Sequence, residues 1–184
     1  MVTLTQGLLL ALMAFLVGFD DLMEAFFVMR PIMVATFTGI ILGDIETGVI
    51  AGGLVELAFA GLTPAGGASV PNGTIAGIMT VFLAVTQDIS PEEAFPLALP
   101  FSFLMQYLGT IKGAAFAFFM KPADEMAAKG NVRGLVLMHI GTLAITGLCF
   151  AVVTFLCTYA AQDPISDIVA AFPQPLMNGL SVAG

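Results

Sequence analysis

The chain has 184 residues, 59% of them hydrophobic and only 10% charged, with a formal net charge of −8 and a mean hydropathy of +1.02. A soluble domain of this length keeps a large share of its surface in water and runs to about a quarter charged residues, so this composition excludes one. The acidic balance also excludes nucleic-acid binding, which needs clustered Lys and Arg. What remains is an all-α integral membrane protein.

At the N-terminus no Lys or Arg precedes Arg30, so the basic region of a cleavable signal is missing. The apolar stretch 7–19 is therefore expected to stay in the membrane. It is shorter than the roughly 20 residues of an upright span and reads as a marginal span or an interfacial helix. Asp20, Asp21, Glu24 and Arg30 then form a polar patch, expected to be a solvated turn at headgroup level. Arg30-Pro31 predicts a break, because the residue before proline is pushed out of the helical region. A second apolar run, 31–43, ends at Gly43-Asp44-Ile45-Glu46.

Between residues 47 and 87 the single charged residue is Glu56. In the middle of this stretch stands Thr63-Pro64-Ala65-Gly66-Gly67-Ala68-Ser69-Val70-Pro71-Asn72-Gly73, whose prolines and glycines break a helix. The segment about 47–87 is thus predicted to be a re-entrant hairpin: a helix, a non-helical break at membrane depth, and a second helix. Backbone of that kind is tolerated only where protein buries it or it lines a wet cavity, and transporters bind solutes at such breaks. Ser90-Pro91-Glu92-Glu93 predicts a helix start, with Ser90 as N-cap, Pro91 at N1 and Glu93 completing a capping box. An apolar run follows to residue 111, interrupted by Pro96 and Pro100 and carrying Gln106.

Four of the five basic residues, Lys112, Lys121, Lys129 and Arg133, fall within about 112–133. The positive-inside rule makes this a cytoplasmic loop, with the mixed charge of an interfacial helix. The run 134–161, whose one histidine is His139, is long enough to span with tilt. The tail with Asp163-Pro164, Pro173 and Pro175 is expected on the opposite side. The pairs Gly39/Gly43, Gly48/Gly52, Gly73/Gly77 and Gly109/Gly113 have the spacing of close helix contacts. The whole chain reads as one polytopic membrane domain, 1–184.

Candidate solute ligands follow from chemistry. An intramembrane carboxylate costs about 3 kcal/mol unless paired or wetted, so Glu56 either faces a solute or pairs with Arg30 or a partner subunit. If its helix runs to Pro64, Glu56 lies about 12 Å from the break. The Asn72 amide can donate to and accept from the hydroxyls of a polar solute, and equally suits a turn before Gly73. Asp44 reads as a helix cap or a ligand, and Gln106 faces either a cavity or a neighbouring helix. Thr63 and Pro64 belong to the break itself. Cys149 and Cys157 read as packing residues, and His139 as structural. No metal spacing, nucleophile elbow or P-loop is present, so no cofactor is expected and any energy source lies on another polypeptide or in an ion gradient.

Arg30-Pro31, Gly39-Ile40-Ile41-Leu42-Gly43-Asp44, Thr47-Gly48, Gly52-Gly53, Glu56, Pro71-Asn72, Lys129-Gly130-Asn131, His139 and Pro175-Leu176-Met177-Asn178-Gly179-Leu180 together resemble the IIC subunit of the mannose/sorbose family of the bacterial sugar phosphotransferase system. Pro64-Ala65-Gly66-Gly67, where mannose members usually carry Asn-x-Gly-Ala, brings the resemblance closer to members assigned to N-acetylgalactosamine or galactosamine. Family members are longer and continue with more apolar segments. The resemblance implies a bacterial inner-membrane permease subunit that binds a hexose or amino sugar and supplies site and gate without a phosphoryl-transfer residue of its own. It also implies a IID membrane partner, cytoplasmic IIA and IIB proteins that relay phosphate, and a trimer of IIC–IID pairs. The alternatives from the residues alone are an ion-coupled transporter subunit, with Glu56 as proton carrier, or a non-transporting scaffold or receptor subunit.

Overall fold

A computed structural model describes residues 1–62 and 69–170, and its regular structure is entirely helical among them. The elements are α1 (Leu4–Met23), α2 (Pro31–Leu42), α3 (Ile45–Phe59), α4 (Gly73–Gln87), α5 (Pro91–Phe116), α6 (Met120–Ala128), α7 (Val132–Phe155) and α8 (Gln162–Ala170). A 3-10 turn joins α5 to α6, and a wider π turn, Leu156–Ala160, extends α7. Among the described residues, three helical stretches are long and apolar enough to cross a membrane: Leu4–Met23, Pro91–Ala128 and Val132–Ala160.

Helix α1 begins earlier than the apolar run, because Thr3 and Gln6 form a capping box that recruits the first turn. Its twenty residues give a rod of about 30 Å, enough to span. It packs most extensively on α7. The two backbones touch at Gly18 and Gly147: a Cβ on Gly18 would lie 2.7 Å from the Gly147 Cα, and one on Gly147 would lie 2.6 Å from the Phe15 carbonyl oxygen. With lipid as apolar as the side chains, such close approach is what drives helices together.

Helices α2 and α3 form a tight antiparallel pair, joined at Gly43-Asp44. Gly43 has φ of 89°, and its amide closes α2 onto the Gly39 carbonyl. Asp44 caps α3. The packing glycines are Gly39, Gly48 and Gly52, whereas Gly43 serves the turn and Gly109 and Gly113 meet nothing within 4 Å. The four sequence pairs therefore divide: some are packing surfaces, some are not, and spacing alone does not separate them.

Helix α4 is the centre of the molecule. Every residue from Thr74 to Ala84 is buried, which explains a sequence that is apolar all round rather than on one stripe. It is about 22 Å long, too short to span. Helices α2, α3 and α5 surround it, and Gly77 lets the start of α2 settle against it, with a Cβ there 3.2 Å from the Pro31 carbonyl oxygen. Helix α5 starts at the predicted Ser90/Glu93 capping box and carries Pro96 and Pro100 in its first half. Beyond it, α6 has no buried residue.

Candidate functional site

In the polar patch that begins in the last turn of α1, Glu24 and Arg30 are exposed as a solvated turn would have them, but Asp20 is not. Asp20 is buried, and its carboxylate accepts from the amides of Ala25 (3.1 Å), Phe26 (2.8 Å) and Val28 (2.7 Å). Those bonds hold a loop that includes Phe27 at φ 57°, a conformation an aromatic residue seldom adopts unaided. Asp20 is thus a loop clamp. Its neighbour Asp21 points elsewhere, into a cavity.

Glu56 sits on α3, facing the start of α2. Arg30 Nε donates to its Oε1 at 2.6 Å, the Arg30 guanidinium also donates through a second nitrogen, and the Ile32 amide donates to Oε2 at 3.2 Å. The open amides of a helix start attract a carboxylate, and Pro31 leaves Ile32 as the first free one. Of the readings the sequence left open, this is the pairing with Arg30, and it places Glu56 outside the cavity. Asp44 is likewise a cap: Thr47 N donates to Oδ1 at 3.0 Å and Thr47 Oγ1 to Oδ2 at 2.6 Å. The Thr47 hydroxyl, then its amide, hold the Asp44 carboxyl below the usual carboxylate range. Thr63 and Pro64 lie outside the described residues.

The cavity measures about 290 Å³ and lies among α1, α5, α7 and the segment that leads into α4. Its polar wall is Asp21, Ser69, Asn72, Gln106, Thr110 and Lys112. Two of the sequence candidates, Asn72 and Gln106, therefore meet here. Asn72 is held twice. Its Oδ1 accepts from Ile75 N as the cap of α4, at 2.9 Å. Its backbone carbonyl accepts from the buried Ser102 hydroxyl on α5, at 2.9 Å, while its amide donates to the Ser102 carbonyl at 3.2 Å. The cap leaves the two N–H donors of the Asn72 side-chain amide unused.

Gln106 is fixed by Ser69, donating from Nε2 to the Ser69 carbonyl at 2.8 Å and contacting its hydroxyl at 2.7 Å. A carbonyl can only accept, so this contact sets which end of the amide is nitrogen. The other end, Oε1, is buried and has no hydrogen-bond partner. An acceptor left so is expensive and calls for a ligand or ordered water. Lys112 donates from Nζ to Thr146 Oγ1 on α7 at 3.1 Å, and that hydroxyl in turn donates to the Thr142 carbonyl at 3.0 Å. Its ammonium also lies 5.9 Å from the Phe116 ring centre. Buried Met105 and Phe150 supply the apolar part of the wall.

Asp21, Ser69, Thr110 and Lys112 were not among the sequence candidates. Asp21 was hidden beside Asp20, and Lys112 among the basic residues of its loop. Gln106 and Thr110, one turn apart in an apolar helix, were the legible trace of a polar face. The assembled wall offers donors, acceptors and an apolar floor, the mixture a sugar presents in reverse. Its volume is at the small end of small-molecule sites.

Comparison with known proteins adds to this geometry. The family described as the sorbose-specific IIC component of the phosphotransferase system matches residues 4–184. The chain is 47% identical over 183 residues to the N-acetylgalactosamine permease IIC component 1 of Escherichia coli (strain K12), covering 100% of this chain and 68% of the relative. It is 29% identical over 168 residues to the sorbose-specific EIIC component of Klebsiella pneumoniae, covering 91% and 63%. With the mannose-specific EIIC component of E. coli K12 it shares 27% over 184 residues, covering 100% and 69%. The chain thus spans about two thirds of the length of these relatives. A solved membrane-protein structure superposes with a TM-score of 0.89 at 27% identity, over 100% of this chain and 74% of the other. A cryo-electron-microscopy structure of the mannose transporter ManYZ with microcin E492 gives 0.79 at 27% identity, over 99% and 74%. The chain belongs to the sorbose-type IIC family, membrane components of sugar phosphotransferase systems that work with other components of those systems.

Proposed function

We propose that this chain binds a hexose or amino sugar, of the N-acetylgalactosamine type, in the cavity at Asn72 and Gln106 and passes it across the bacterial plasma membrane as partner subunits phosphorylate it. The observation that carries the reading is the unpartnered Gln106 Oε1 in a polar cavity inside a membrane protein. A sugar hydroxyl or acetamido N–H would satisfy it, and the Asn72 amide N–H and Lys112 ammonium would donate to sugar oxygens. The 47% identity to an N-acetylgalactosamine permease component favours that sugar class.

The cavity lies at the end of α5 that runs into the basic segment 112–133, where Lys121, Lys129 and Arg133 are exposed. By the positive-inside rule that end faces the cytoplasm, so a bound sugar would be close to a cytoplasmic IIB protein charged by IIA. A IID subunit is the expected membrane partner, in a trimer of IIC–IID pairs. The break between α3 and α4 serves as the re-entrant element, because α4 is too short to span and its N-cap, Asn72, opens on the cavity.

The test is uptake of labelled N-acetylgalactosamine by cells carrying the whole system, with Gln106→Ala and Asn72→Ala in this chain. Uptake should fall about tenfold or more for each, the equivalent of one or two lost hydrogen bonds in a desolvated site, with the membrane complex still assembled. Unchanged uptake with both variants would overturn the site. Uptake that survives removal of phosphoenolpyruvate but stops on collapse of the proton gradient would overturn the coupling.

A further inference from the structure

Asp21 and Lys112 are the two charged residues of the cavity wall, and they reach it from different helices, α1 and α5. Among the described residues the ion pair within bonding distance is Arg30–Glu56, not these two. Lys112 is held back: one of its three N–H groups goes to the buried Thr146 hydroxyl on α7, and the Phe116 ring stands beside the ammonium. Thr146 accepts that bond through a lone pair while its own proton goes to the Thr142 carbonyl. The lysine is thus fixed as a donor facing into the space, with two N–H groups unspent. Opposite charges inside a membrane protein are costly apart and favourable when joined, directly or through a polar bridge.

We propose that Asp21 and Lys112 form a split charge pair that a neutral pyranose bridges, one sugar hydroxyl donating to the Asp21 carboxylate and a neighbouring oxygen accepting from the Lys112 ammonium. A hydroxylated ring is suited to this, since each hydroxyl both donates and accepts. A neutral sugar leaves the cavity charge-balanced, whereas a protonated amino sugar or a sugar acid brings in a net charge that the pair cannot cancel. The pair therefore selects neutral sugars, including N-acylated ones, over charged analogues. The proposal rests on the cavity being the sugar site, and it assigns to the two charges a joint role that neither Gln106 nor Asn72 has.

The experiment is equilibrium binding of N-acetylgalactosamine and of galactosamine to the purified membrane complex, with Asp21→Asn, Lys112→Met, the double variant D21N/K112M and the exchange D21K/K112D. Each single variant should weaken binding of the neutral sugar about tenfold or more, the loss expected for one charge-assisted hydrogen bond. The double variant should be no worse than the weaker single, and the exchange should bind more tightly than the double. Losses that multiply in the double variant would overturn the joint role while leaving the sugar site intact, provided Gln106→Ala still weakens binding. If Gln106→Ala binds normally, the site itself is wrong and the pair falls with it. Should either single variant fail to assemble, the two charge-balanced doubles decide: an exchange that binds no better than D21N/K112M refutes the pair. Equal affinity of the native complex for galactosamine and its N-acetyl form would refute the selectivity.

Discussion

Two regions of this molecule that hold carboxylates treat them in opposite ways. In the α1–α2 loop and the α2–α3 hairpin, Asp20, Asp44 and Glu56 spend their oxygens on the protein's own backbone amides, on Thr47 or on Arg30. In the cavity, Asp21 and the carbonyl end of Gln106 face space. The presence of an acidic residue in an apolar sequence therefore says little; whether its acceptors are already engaged separates scaffold from site. The first region is closed and self-satisfied. The second is left incomplete in a way that a hydroxylated solute would complete.

This contrast can be attacked by substitution, since changes in the first region should act on stability and those in the second on uptake. The largest effect is expected where the frame itself is tightest. Gly147→Val would drive a side chain into the Phe15 carbonyl and the Phe15 and Phe19 rings, costing about 3 kcal/mol or more by overpacking and separating α1 from α7. Thermal unfolding in detergent, followed by fluorescence-detected size exclusion, reads it out. Asp20→Ala comes next. It strands three loop amides, part of whose loss water can recover, and should cost about 2 kcal/mol, with faster proteolysis between residues 24 and 30. Glu56→Gln should cost only about 1 kcal/mol, because Arg30 is half-exposed and can turn to water. Sugar affinity of the surviving complex should stay within twofold, roughly the scatter of a surface change. A Glu56→Gln complex that is stable but does not bind sugar would erase the distinction between the regions. The smallest effect belongs to Asp44→Ala, about 1 kcal/mol or less from a lost N-cap. Asp44 is held below the ordinary carboxylate range, so its contribution is present above its unfolded value, near 4, and lost as pH falls through the folded one. The stability gap between Asp44→Ala and the native chain should close on acidification.

Much of the frame was legible in the letters. The capping box at Ser90, the proline start of α2 and the glycine end at Gly43 each act through one or two neighbouring residues, and local rules suffice for them. The family resemblance carried by 30–56 agrees with the matching family and relatives. Less visible was anything set by tertiary placement. Asp20 and Asp21 are adjacent, yet a turn of α1 sends one to clamp a loop and the other to the cavity. Lys112 looks like the first residue of a basic loop, but α5 runs on to Phe116 and keeps it inside the wall. Glu56 looked exceptional because it is alone in its apolar stretch. Its partner, Arg30, is 26 residues away, and only the folding of α2 against α3 brings them together. Thr63, Pro64 and the break as far as residue 68 lie outside the described structure, whereas its remainder, Ser69 to Asn72, borders the cavity.

The Lys112–Thr146 bond has a bearing on how the protein is made. It reaches from α5 to α7, and Phe150 on α7 closes the same wall behind it. During synthesis, then, α1 and α5 can enter the bilayer without yet enclosing anything. The chamber comes into being only when α7 slides in beside α1. A chain made only as far as residue 145 would hold Asp21 and Lys112 without the hydroxyl that secures the lysine or the Phe150 ring that closes the wall.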